Sequence, residues 1–180
     1  MRPPKVESSE LLAGLMTVLR SKGYDGASLN ELASASGLKK ASLYHRFPGG
    51  KQEITAAVLQ YVGDWLETNL KQVLLNEDAS PAQRLAKAIA NIEALYDQGK
   101  QTCIIRALSM DSGVDMFAQE LKQGIDQWID GFSTLGRAFG FSDQEAQQKA
   151  WEVITNIQGS LVVSKAIGST EPFAQAIGRI

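Results

Sequence analysis

Apolar residues recur along this chain three and four positions apart, the spacing of helices, and no stretch alternates with the period of two that a half-buried strand needs. Leu11, Leu12, Leu15, Met16 and Leu19 make one face of a first helix that stops near Gly23. Ser28 and Glu31 form an S-x-x-E capping box that opens a second helix, with Leu29, Leu32 and Ala33 on its apolar side and Gly37 at its end. A third, short helix spans about residues 40–45. After Pro48-Gly49-Gly50 a long helix runs to about Asn76, with Ile54, Val58, Tyr61, Val62, Trp65 and Leu66 facing inward.

Ser80 as N-cap and Pro81 in the first turn begin the next helix, which carries Leu85, Ile89, Ile92 and Leu95 and ends near Gly99. A short helix over about residues 102–110 closes at Ser112-Gly113. Another long one carries Phe117, Leu121, Ile125, Trp128, Phe132 and Leu135 and ends near Gly140. A second capping box, Ser142 and Glu145, opens a helix with Ala150, Trp151, Ile154, Ile157 and Leu161 that ends near Gly168, and a last helix follows Pro172. The pattern predicts an all-α fold of nine helices, without repeats, low-complexity tracts or long linkers.

Two short helices joined by a glycine turn, residues 29–45, are the arrangement that puts a second helix into the DNA major groove. Charge agrees with this. Residues 1–51 hold eight Lys/Arg, among them Arg2 and Lys5, and four Asp/Glu, a net +4 that leaves −6 for the rest of a chain of net charge −2. A basic N-terminal third on an acidic body is the electrostatic footprint of a small DNA-binding module. A hydrophobic share of 44% supports a substantial core. No apolar run reaches membrane-spanning length, and MRPPKVESSE has no signal-peptide core. A single cysteine, Cys103, excludes an intrachain disulfide. Together these place the chain in the cytoplasm. One histidine, one cysteine, no metal-ligand cluster, no phosphate loop and no nucleophile motif argue against an enzyme and against a metal or cofactor. Asp126 and Asp130, one turn apart, read as a solvated helix face.

The run GLKKASLYHRFPGGKQEI resembles the signature of the tetracycline-repressor (TetR) family, and its FPGGK ending resembles the LmrA/YxaF-type branch. The match covers about residues 8–54, under a third of the chain. The resemblance implies a three-helix DNA-binding head at residues 1–48 and a helical ligand-binding and dimerisation body at residues 49–180. It implies that Ser28 caps its helix where a phosphate is met, and that Lys39 and Lys40 open the recognition helix against phosphate or base edges. Ala41 is suited to a thymine methyl and Ser42 to a base or phosphate. Tyr44 and His45 match the phosphate-contacting pair. Lys51, in the first turn of the long helix, would clamp a phosphate together with that turn's backbone N–H groups. Leu43 and Phe47 are expected in the core. Arg46 stands where many members carry an aromatic residue.

A two-turn recognition helix reads few bases, so a palindromic double-stranded operator and a homodimer follow. The resemblance places the dimer contact on the last two helices, with small Gly159 and Ser160 beside Leu161 and Val162. It also implies a small-molecule effector that releases the DNA, and targets such as the chain's own gene and a neighbouring efflux or degradative gene. An apolar cavity with a few polar anchors would hold that effector. Candidates are Tyr61, Trp65, Tyr96, Cys103, Met110, Phe117, Trp128, Phe132, Trp151 and Ile154, with Arg106, Asn156 and Gln158 as anchors. The plainer reading of each apolar candidate is core. Two alternatives stand beside the effector: a body used for protein contacts, and sensing through Cys103, which lies near Lys100 and Arg106 but has no second cysteine.

Overall fold

The computed structural model describes residues 8–180, so Arg2 and Lys5, counted in the basic third, lie outside the described residues. The described residues divide into two compact units. One runs through Val62 and adds Ile104–Leu121; the other holds Gly63–Cys103 and Lys122–Ile180.

In the first unit, α1 (Ser8–Gly26) buries Leu11, Leu15 and Leu19 completely, one stripe at i, i+4, i+8. Its regular part ends at Gly23, whose φ of 70° is costly for any side chain with a Cβ. The capping box forms as the sequence predicts: Ser28 Oγ accepts from the Glu31 amide while Glu31 accepts from the Ser28 amide, opening α2 (Leu29–Ala35). Gly37, at φ 68°, turns the chain into α3 (Lys40–Arg46). Leu43 and Phe47 are buried, as expected, and fix α3 in place. Two short helices, α7 (Ile104–Leu108) and α8 (Gly113–Met116), pack on α1.

The boundary between units falls in α4 (Gly50–Leu66), which continues through a π turn, Glu67–Lys71, into α5 (Gln72–Leu75). The sequence reads this as one regular helix. The π turn coincides with Asn69, whose carbonyl accepts from the Asn91 side chain at 2.6 Å rather than serving the helix ladder alone. In the second unit, α6 (Pro81–Leu95) opens with a capping box whose second member is Gln83, a partner for Ser80 beyond the proline signal. The Ser142–Glu145 box opens α10 (Asp143–Ile167), closed by Gly168 in the left-handed conformation, and α11 (Glu171–Ile177) packs back on it through Phe173 and Ile177. Before α10 in sequence, α9 (Ala118–Ala138), whose first turn belongs to the first unit, buries Leu121, Trp128, Ile129, Phe132 and Leu135.

The fold is all-α, as expected, but the described residues hold ten helices rather than nine when α4 to α5 is counted once. The addition is the one-turn α8. Phe117, expected inside a long helix, instead sits at φ −125°, ψ 26° and separates α8 from α9. Among the described residues no helix is long and apolar enough to cross a membrane.

Candidate nucleic-acid interface

Burial of Leu43 on one side of α3 leaves Lys40, Ala41, Ser42, Tyr44 and His45 exposed on the others. Lys39, also exposed, is the N-cap in an extended conformation and uses its backbone carbonyl, not its side chain, to accept from the amides of Ser42 and Leu43. Its ammonium is therefore available. Arg46, exposed as well, adds a further positive charge at the end of the helix. The Tyr44 ring lies against Gly50, where an added Cβ would stand 3.9 Å from Tyr44 Cε1. The ring thus rests on Gly50 while the residue stays 41% exposed.

Lys51 is half-buried. Its ammonium stands 4.5 Å from the Tyr24 ring centroid and 3.5 Å from the Asp25 carbonyl. The backbone groups expected to assist it are partly committed. The Gly49 amide donates to Glu53 at 2.7 Å and the Gly50 amide to the Phe47 carbonyl at 2.9 Å. Glu53 is a residue that sequence reasoning missed; a carboxylate in a helix's first turn is its only signal. Beside Ser28, Lys22 forms an ion pair with Glu31. That ammonium, followed by the Ser28 hydroxyl and amide, holds the Glu31 carboxyl down at about 2. Ser28 is exposed, but its hydroxyl already donates to Glu31 at 2.7 Å.

A second group of residues ties α1 to the segment between α7 and α8. The Asp25 carboxylate accepts from the Ser112 hydroxyl at 2.5 Å and the Ser112 amide at 3.1 Å. Asp111 accepts in return from the Asp25 amide at 3.0 Å and from the Gly113 amide at 2.9 Å. The Ser112 donors hold the Asp25 carboxyl below the usual carboxylate range. Tyr24 stacks edge-on against Phe117, ring centroids 5.5 Å apart. A basic, polar, solvent-facing helix on a rigid support, flanked by a further lysine, has the form of a helix-turn-helix reader.

Comparison with known proteins agrees. The family model described as "Bacterial regulatory proteins, tetR family" matches residues 11–58, which span the helix-turn-helix and the start of α4. Over 147 residues the chain is 26% identical to the HTH-type transcriptional regulator YxaF of Bacillus subtilis, covering 79% of this chain and 76% of that one. It is 20% identical over 169 residues to the HTH-type transcriptional regulator LmrA of the same organism, covering 91% and 88%. The chain belongs to the TetR family. It is a transcriptional regulator of the branch that holds YxaF and LmrA. The TetR fold extends through the whole body: a TetR transcriptional regulator from Legionella pneumophila superposes with a TM-score of 0.83 at 18% identity, over 97% of this chain and 96% of that one.

Of the ten residues suggested for an effector in this TetR-family body, Tyr61, Met110 and Phe117 belong to the first unit and the other seven to the second. Tyr96, Cys103, Phe117, Trp128, Phe132 and Ile154 are buried, and Tyr61 and Trp65 half-buried. Trp128 stacks on Phe132 with centroids 6.0 Å apart. Two do not face inward as expected. Met110 is 76% exposed because it follows the end of α7, and Trp151 is 49% exposed because α10 buries the neighbouring stripe of Ala150, Ile154 and Ile157. Of the suggested anchors, Asn156 is exposed, and Gln158 donates to the Tyr96 hydroxyl at 3.2 Å. Buried polar atoms without a hydrogen-bond partner lie in the second unit at Gln127 Oε1, Ser133 Oγ and Gln158 Oε1; of these three residues only Gln158 stands out in the sequence as an anchor.

Proposed function

We propose that this TetR-family regulator is a cytoplasmic, homodimeric repressor that binds a palindromic operator and leaves it when a small hydrophobic or aromatic molecule occupies its body. The exposed face of α3 is the observation that carries the DNA half of this reading. Residues 1–48 act as the DNA-binding head and residues 49–180 as the sensing and dimerising body. Lys39, Lys40, Tyr44, His45 and Lys51 meet phosphates, Ser28 meets one beside its cap, and Ala41 and Ser42 approach base edges.

Dimerisation is supported by α10. Trp151, Val162, Val163 and Ile167 are exposed along it, and a Cβ at Gly159 would meet nothing within 4 Å. An apolar helix stripe left in water is what a second copy would cover. The effector is supported by the buried aromatic set and by the unpartnered oxygens of Gln127, Ser133 and Gln158, which a ligand with hydrogen-bond donors would satisfy. Release works as a population shift: the effector binds the DNA-incompetent state more tightly than the competent one. Cys103 is buried, which disfavours its use as an exposed thiolate sensor.

A gel-shift titration with DNA from around the chain's own gene, under excess nonspecific competitor, tests the reading. A discrete complex that resists competitor is expected. Binding that competitor abolishes at every fragment would reject a sequence-specific repressor of its own locus.

A further inference from the structure

In the second unit a groove of about 630 Å³ runs along α5, the turn that follows it and the first half of α6. Two cations line it, Arg84 and Lys87, and no carboxylate does. Neither cation forms an ion pair among the described residues. Glu77 and Asp78, in the turn, are exposed and stand beyond ion-pair distance of both. The Glu67 carboxylate, next to Thr68 of the groove wall, is taken by Lys71 and Gln127. Arg84 is only 7% exposed. Its Nε donates to the Ala79 carbonyl at 2.8 Å, which fixes the guanidinium plane. Its two outer nitrogens have no acceptor among the described residues, and neither is sealed from solvent. A guanidinium withdrawn from most of its water with N–H groups unspent carries a cost that an acceptor would recover. Two carboxamides on the wall add donors. Asn76 Oδ1 accepts from the Asp78 amide at 3.1 Å, and Gln83 Oε1 from the Ser80 amide at 3.0 Å and hydroxyl at 2.9 Å. Each has engaged its oxygen and keeps its NH2 group.

We propose that this groove binds a small organic molecule through an oxyanion, a carboxylate or phosphate group. Arg84 takes the oxyanion with its outer N–H groups, held in one plane by the Ala79 bond, and Lys87 adds a point charge. The NH2 groups of Asn76 and Gln83 supply neutral donors. Val73 and Leu75, on the same wall, give apolar surface to the rest of the molecule, and the volume suits an organic ligand better than a bare inorganic ion. The site goes beyond the operator-and-effector reading and uses none of the residues assigned to DNA or to the effector.

Isothermal titration of the full chain tests it, with hexanoate, hexyl phosphate and hexanol as probes, at fixed ionic strength held by chloride. One saturable site per chain is expected for at least one of the two anions and none for hexanol, which has the same chain without the oxyanion. Tighter binding of hexanoate assigns a carboxylate ligand, and tighter binding of hexyl phosphate a phosphate ester. Arg84→Gln should weaken that binding by about tenfold or more, the loss of a charge-assisted bond. Lys87→Gln, at an exposed position, should weaken it by less, and Lys122→Gln, which removes an equal charge away from the groove, should leave it unchanged. Circular dichroism melting checks that the variants fold; Lys87→Gln carries the test if Arg84→Gln does not. No saturable binding of either anion, hexanol binding as tightly as the anions, parental affinity in the folded groove variants, or equal weakening by Lys122→Gln overturns the proposal. No DNA is present, so this failure is separate from any failure of the operator reading.

Discussion

Lys51 must leave two contacts to reach a phosphate. A cation over an exposed aromatic ring is worth about 0.5–1 kcal/mol, and the 3.5 Å contact to the Asp25 carbonyl is long for a hydrogen bond. A charge-assisted bond is worth about 1.5–3 kcal/mol, so the phosphate wins and the Tyr24 ring serves as a parking position. Lys51→Ala should weaken binding to operator and unrelated DNA alike, and lower the slope of log affinity against log salt by about one. Tyr44→Phe should weaken both DNAs equally without the slope change. Titrations at several salt concentrations read both, and unchanged affinity would remove these side chains from the interface. Glu31 sets an acid limit on the head. Its folded pKa of about 2 lies below its ordinary 4.5, so its stabilising effect is complete above 4.5 and fades as pH falls toward 2. Acid unfolding followed by circular dichroism should show a loss in that window which Glu31→Gln reduces. An identical acid profile in the variant would mean that the cap and the Lys22 pair do not act on stability.

Helix starts were the most legible elements, because a cap is a local chemical event. Ser28 with Glu31 and Ser142 with Glu145 form the reciprocal boxes that their spacing announces. Helix α8 was not legible: one turn is too short to show a period, and Phe117 breaks the helix although its apolar character continues the stripe. Facing was harder again. Trp128 and Trp151 both fit an apolar period, yet one is 1% exposed and the other 49%. The difference should appear in energetics. Trp128→Ala should cost about 3–5 kcal/mol of stability, measured by urea unfolding. Trp151→Ala should leave the folding of a single chain nearly unchanged and weaken self-association. Equal destabilisation by both would place Trp151 in a core.

At the scale of the molecule, the exposed helix proposed to face DNA was readable because its exposed residues lie close together in sequence. The tie of Asp25 to Ser112 was not: its partners are 87 positions apart, and neither residue type is unusual in a turn. Only the fold brings them together. The proposed second-copy surface rests on the fold rather than on the sequence pattern, since only burial shows that Trp151, Val162, Val163 and Ile167 of α10 are left exposed. Val163→Asp with Ile167→Asp should convert a dimer to monomers in sedimentation equilibrium and reduce operator affinity in parallel. A dimer that survives both changes would move the interface off this face of α10.

The central claim is that this chain reads a specific, two-fold symmetric DNA sequence. Repeated selection of bound duplexes from a random library, followed by sequencing, tests it whatever the operator is. Enrichment of an inverted repeat, abolished when Lys39, Lys40 and Tyr44 are replaced by alanine, is the expected result. A library that stays random, or one that enriches equally with the substituted protein, would contradict the claim.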